Sequence, residues 1–145
     1  MTEIEIGRSK RARRAFAFDD IAVVPSRRTR DPQDVSVSWG IDAYQFEIPI
    51  LAAPMDSVVS PETAIAMGKL GGVGVLNLEG LWTRYENPLP VLSEIRSLPA
   101  ATATKRMQEL YAEPIKAELI TARLAEVRAS GVTVAAALSP QRTQE

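Results

Sequence analysis

Residues 48–77, Ile-Pro-Ile-Leu-Ala-Ala-Pro-Met-Asp-Ser-Val-Val-Ser-Pro-Glu-Thr-Ala-Ile-Ala-Met-Gly-Lys-Leu-Gly-Gly-Val-Gly-Val-Leu-Asn, read as strand, helix, strand. Residues 48–55 are a nearly unbroken apolar run, which predicts a parallel strand buried on both faces, with Pro49 and Pro54 at its margins because proline offers no ladder donor. A helix start follows: Ser60 as cap, Pro61 at the first helical position and Glu62 near the positive end of the dipole. Pro61, Ala64, Ile65 and Gly68 share one helical face, and Gly71 stands where a left-handed C-terminal residue is expected. Residues 73–76 form a second short apolar strand. The whole is a right-handed βαβ unit. Ligands of such units bind beyond the carboxyl ends of the strands, which singles out Ala53, Met55, Asp56 and Ser57 after the first strand and Asn77 after the second.

The chain has 145 residues, 46% hydrophobic and 24% charged, with a net charge of −1. That composition predicts one soluble domain. No run approaches the roughly 20 apolar residues of a membrane span, and the amino terminus is charged, so a cytoplasmic protein with no membrane partner is expected. With Cys 0 and His 0, disulfides, thiolate metal sites, imidazole bases and Cys or His nucleophiles within this chain are excluded.

Outward from the centre, residues 1–10 read as poorly ordered, and Arg8, Lys10, Arg11, Arg13 and Arg14 form a basic cluster. A near-neutral net charge and the lack of a groove-reading motif favour a solvated arm over a nucleic-acid patch. In residues 16–25 two adjacent carboxylates, Asp19 and Asp20, suit turn capping better than metal or acid/base work. Residues 35–41 alternate Val35, Val37 and Trp39 with small or polar residues, a half-exposed strand pairing outside the main sheet.

After Asn77, Trp82 and Tyr85 belong to a loop that either packs or lids a site, packing being the simpler reading. A short helix over residues 87–98 carries Leu89, Leu92 and Ile95 on one side and ends at Pro99; residues 100–104 read as a linker, with a restart near Lys105. Beyond Pro114 a longer helix runs to about Ser130 and closes at Gly131, and residues 132–138 are a third apolar strand. The alternation is that of a parallel α/β domain. Three strands cannot close a barrel, which needs eight and about 250 residues, so the expectation is the first portion of a larger enzyme.

Three stretches together resemble the IMP dehydrogenase/GMP reductase family: residues 16–25 (Phe-Ala-Phe-Asp-Asp-Ile-Ala-Val-Val-Pro), residues 48–58 (Ile-Pro-Ile-Leu-Ala-Ala-Pro-Met-Asp-Ser-Val) and residues 64–75 with Gly71-Gly72-Val73-Gly74. The resemblance covers residues 14–80 well and 132–139 more loosely. It implies a (β/α)8 TIM barrel of which this chain holds an amino-terminal extension and about the first three β/α units, 16–145 being the amino-terminal part of an incomplete catalytic domain; residues 1–15 are the basic flexible arm that their charge already suggests. It implies oxidation of IMP to XMP with NAD as cofactor, a purine nucleotide as substrate, a homotetramer when full length and no nucleic-acid partner. The alternatives are GMP reductase, a non-catalytic paralogue with an assembly or regulatory role, and a free-standing small α/β module.

By the same resemblance Met55 falls against the purine and Ala53 near the ribose phosphate, where the family commonly has serine. Asn77 stands where many members carry a histidine near the cofactor, and Ser139 where a threonine approaches it. The tandem CBS module is missing between residues 87 and 132, as in the compact, CBS-free, IMP dehydrogenase-related branch. No catalytic residue falls within this chain, because the family's cysteine, its monovalent-cation loop and its base-bearing flap lie beyond position 145. Residues 1–145 alone are accordingly expected to bind nucleotide weakly or not at all.

Overall fold

The computed structural model describes residues 3–8, 10–25 and 30–143. The chain folds as two units, residues 1–36 and 37–145. In the first unit β1 (Glu3–Ile6) pairs antiparallel with β2 (Lys10–Arg13), with Glu5 opposite Arg11. Gly7 turns the hairpin at φ 63°, a left-handed conformation that costs glycine little. The poorly ordered arm expected over the first residues is thus replaced by a two-stranded ribbon, although Met1, Thr2 and Ser9 lie outside the described residues. Arg8, Lys10, Arg13 and Arg14 are nevertheless exposed, and the Arg14 guanidinium lies 5.0 Å from the centre of the Phe16 ring. A 3-10 turn at Phe18–Asp20 follows, and the Ala17 N–H donates to Asp20 Oδ2 at 2.9 Å. Asp20 therefore closes a turn, as the short reach of aspartate suggests.

The second unit opens with a hairpin of β3 (Trp39–Ile41) and β4 (Tyr44–Phe46). Pairing starts only at Trp39, where Phe46 stands opposite with ring centroids 5.0 Å apart; Val35 and Val37 join no strand and are exposed. The Trp39 indole N–H donates to the Ile48 carbonyl at 2.8 Å and leads the chain into the main sheet.

That sheet is parallel, in the order β5 (Leu51–Ala52), β6 (Val73–Asn77), β7 (Ala135–Ala137). Its direction agrees with the apolar runs, but the expected double burial of residues 48–55 does not hold. Only Leu51 and Ala52 enter the ladder, and Ile50 and Leu51 are about half exposed at 51% and 52%. Pro49 and Pro54 confine pairing to the residues between them, and β5 is an edge strand with β6 on one side.

Helix α1 (Pro61–Lys69) connects β5 to β6. Ser60 Oγ accepts the Thr63 N–H at 3.1 Å, and Thr63 Oγ1 accepts the Ser60 N–H at 2.7 Å, so both ends of the cap are satisfied. Gly71, at φ 86°, ends the helix. The connection from β6 to β7 contains α2 (Leu89–Ser97), α3 (Ala100–Tyr111) and α4 (Ala117–Ala129). Residues 100–104 are therefore the opening of α3 and not a linker. Pro99 is extended and ends α2, while its carbonyl accepts the Thr102 and Ala103 N–H groups at 3.0 Å and starts α3 at once. Alanine-rich sequence needs no further help to continue.

Val59, Ala64, Leu76 and Val127 form the buried centre, with Ile65, Leu124, Val132 and Val134 packed around them. Both α1 and α4 thus press on the sheet. The approach of α1 is closest at Gly74, where an added Cβ would lie 2.6 Å from the Ala64 Cα. Because the obstruction is backbone, Gly74→Ala is expected to destabilise this unit by about 1–3 kcal/mol, read as a lower midpoint in thermal unfolding.

Candidate functional site

Because β5 and β6 run parallel, the loops leaving them emerge at the same end of the sheet. A cleft of about 410 Å³ opens there. Met55, Asp56 and Ser57 enter it from the loop after β5, and Asn77 from the last position of β6. The helical hairpin of α2 and α3 forms the other side through Leu92, Ile95, Met107 and Tyr111. Its size falls in the range of small-molecule sites. A smaller cavity, about 250 Å³, lies at the opposite, amino ends of the strands among Glu47, Gly72 and Thr133, away from every strand-exit residue.

Met55 is 51% exposed. Its N–H donates to the Ala53 carbonyl at 2.7 Å, and its own carbonyl accepts from Val58 and Val59 at 2.8 Å each. Two overlapping turns therefore present the side chain to the cleft. Ala53 is exposed just beyond β5 but does not line the cleft. Asn77 Oδ1 accepts the Glu79 N–H at 3.0 Å, so the amide nitrogen is the group it could offer a ligand. Ser139 also lies outside the cleft. Its N–H and Oγ–H donate to the two Glu79 carboxylate oxygens at 2.8 and 3.0 Å, and Arg142 Nε lies 3.1 Å from the same carboxylate. Of the four residues singled out by resemblance, Met55 and Asn77 share the cleft.

Trp82 and Tyr85 pack. Tyr85 donates to the Leu110 carbonyl at 2.9 Å, and the Arg123 guanidinium lies 5.5 Å from the centre of the Trp82 ring while its Nε–H donates to the Trp82 carbonyl at 3.2 Å. These bonds hold the loop after β6 to α3 and α4.

Asp56 has a role the sequence did not disclose. It is buried, with 9% exposure, and its Oδ2 accepts the Leu81 N–H at 3.0 Å and the Tyr111 O–H at 2.5 Å. Gly80 makes room for it: a Cβ there would lie 1.9 Å from Asp56 Oδ1. A carboxylate at a strand exit was a legible signal, whereas Tyr111, 55 residues on, gave none. Glu79 could have been found by the rule that already singled out Asn77, since it too leaves β6.

Burial, the hydrogen bond to Asp56 and that residue's negative charge raise the Tyr111 pKa above the ordinary tyrosine value, with Arg84 partly offsetting them. The protonated phenol therefore contributes stability that is fully present below about pH 10 and is lost as pH rises from there toward the folded-state pKa. Tyr111→Phe is expected to flatten the decline of the melting temperature above about pH 10 and to remove the latest phenolate step in an absorbance titration.

The family model described as IMP dehydrogenase / GMP reductase domain matches residues 15–138. An uncharacterized oxidoreductase of Mycobacterium tuberculosis is 46% identical over 97% of this chain and 39% of its own length. Inosine-5'-monophosphate dehydrogenase of Methanocaldococcus jannaschii is 41% identical over 46% of the chain and 13% of its own length. The crystal structure of an IMP dehydrogenase/GMP reductase-like protein from Corynebacterium glutamicum superposes with a TM-score of 0.81 at 45% identity, covering 99% of this chain and 40% of that one. The chain thus spans about two fifths of the length of the mycobacterial and corynebacterial proteins. With the family model matched over most of its length and a parallel sheet carrying its cleft at the strand exits, the chain belongs to the IMP dehydrogenase/GMP reductase family.

Proposed function

We propose that this chain is the amino-terminal portion of an NAD-dependent IMP dehydrogenase, opening a (β/α)8 barrel that its parent polypeptide completes. The observation that carries this reading is the shared cleft: Met55 and Asn77 leave neighbouring parallel strands and line one cavity large enough for a planar base. Met55 would lie along the purine, where its unbranched, polarizable side chain suits a flat apolar face. Ala53 would approach the ribose phosphate through its backbone, since its methyl group cannot hydrogen-bond. The fit to NAD is uneven. Asn77 could offer its amide to the carboxamide, but both Ser139 donors are taken by Glu79, so Ser139 could meet a cofactor only as an acceptor.

Bound NAD would supply the hydride acceptor, and this chain's residues would orient purine and nicotinamide for transfer. The nucleophile would come from elsewhere in the parent, because this chain has Cys 0 and His 0. We further take the parent to be a cytoplasmic homotetramer without a CBS module, any monovalent cation being held by residues beyond this chain. No helix among the described residues is long and apolar enough to cross a membrane.

A second reading, a non-catalytic paralogue, draws on Ala53 and Ser139, where ligand hydrogen bonds are thinned. One assay separates the readings: the full-length parent should form NADH in an IMP-dependent manner, and Met55→Ala should raise the KM for IMP about tenfold through lost apolar contact. GMP-dependent NADPH oxidation without IMP turnover would make it a reductase; neither activity would favour the paralogue.

A further inference from the structure

The Tyr111–Asp56 hydrogen bond joins the two sides of the cleft. Asp56 belongs to the loop after β5 that displays Met55, and Tyr111 is the last residue of α3. Within the loop, the turns at Ala53 and Met55 close the backbone on itself. Asp56 ties that closed loop outward, to Leu81 after β6 and to α3.

A buried carboxylate needs donors, and this one has two, both on Oδ2, while Oδ1 is buried without one. Without the phenol a single N–H would remain, and the cheapest relief for the charge would be to turn toward water. Met55 precedes Asp56 in the chain, so it would move too.

We propose that Tyr111 is a positioning residue: by donating to Asp56 it fixes residues 53–57, and with them Met55, against the α2–α3 hairpin, which becomes the rigid side wall of the ligand cleft. The proposal rests on the reading of this cleft as the nucleotide site. The hairpin contributes more than scaffold, since Leu92, Ile95 and Met107 face the cavity that Met55 enters. The distance between Met55 and that apolar wall then sets how thick a base the cleft accepts.

A matched control exists in the same helix end. Tyr85 donates to the Leu110 carbonyl at 2.9 Å, one residue before Tyr111. In the full-length parent, Tyr111→Phe and Tyr85→Phe each remove one hydroxyl bond that ties the last turn of α3 to a loop, Tyr111 to Asp56 and Leu110 to Tyr85. Tyr111→Phe should raise the KM for IMP about five- to tenfold with kcat within about twofold, and should speed amide hydrogen exchange over residues 53–58. Tyr85→Phe should lower the melting temperature while leaving both readouts at the parent's values. Equal changes of KM in the two variants, or an unchanged KM in Tyr111→Phe, would overturn the proposal. Should the parent not use IMP, hydrogen exchange decides alone: faster exchange in Tyr111→Phe than in Tyr85→Phe upholds the tie between hairpin and loop even as the nucleotide reading falls, and equal exchange rejects it.

Discussion

The absence of a side chain at position 74 lets α1 rest on the backbone of β6, and the rest of the second unit follows from that approach. A Cβ on Gly74 would lie 2.6 Å from the Ala64 Cα, well inside any permitted carbon contact. With α1 that close, Ala64 and Leu76 share one buried centre with Val59 and Val127, which brings α4 onto the same sheet. A similar restriction operates at the amino end of β7, where a Cβ on Gly68 would lie 2.6 Å from the Val132 Cβ. Small residues on α1 and β6 thus fix the spacing between layers. The parallel order of the three strands sends their exits to one end.

At that end the construction changes from apolar packing to hydrogen bonding. Asp56 and Glu79 each leave a strand, and each collects donors from a distant segment: Leu81 and Tyr111 for the first, Ser139 and Arg142 for the second. Their environments differ. Asp56 is buried, so loss of a donor would expose it to the full desolvation cost, whereas the Glu79 side chain keeps about a quarter of its surface in water and can exchange a lost partner for solvent. The loop after β5 is therefore the stiffer of the two, and the loop after β7 is the one held by a replaceable contact.

What was legible in the sequence was what backbone chemistry decides locally. Ser60, Pro61 and Gly71 mark the ends of α1 because each satisfies or removes a particular backbone group, and no tertiary context is needed to see it. Parallel pairing was legible from the apolar runs, but the burial of β5 was not, since it depends on what lies beside an edge strand. The hairpin of β1 and β2 does have a local signature, since Glu3–Ile6 alternates and Gly7 follows, but it is short and runs directly into the basic cluster, whose charges suit a solvated arm equally well. Residues 100–104 are helical where a linker is expected because an extended proline both stops one helix and, through its carbonyl, starts the next. Met55 and Asn77 could be singled out by topology. Tyr111 could not, since its partner lies 55 residues earlier and nothing in the helix pattern marks its hydroxyl.

The distribution of chemistry in the chain follows from these constraints. A group that attacks a base must be free to ionise and to move along a reaction path, while a group that defines where the base lies must be held still. The residues around this cleft are held still: Asp56 by two donors, Tyr111 by its hydroxyl bond to Asp56, and Asn77 by its own turn. A sequence with Cys 0 and His 0 offers none of the usual groups of the first kind with ordinary pKa values near neutrality. The exit end of the parallel sheet is therefore suited to holding a ligand against fixed walls, and under the proposed function the bond-making step would fall to groups of the first kind.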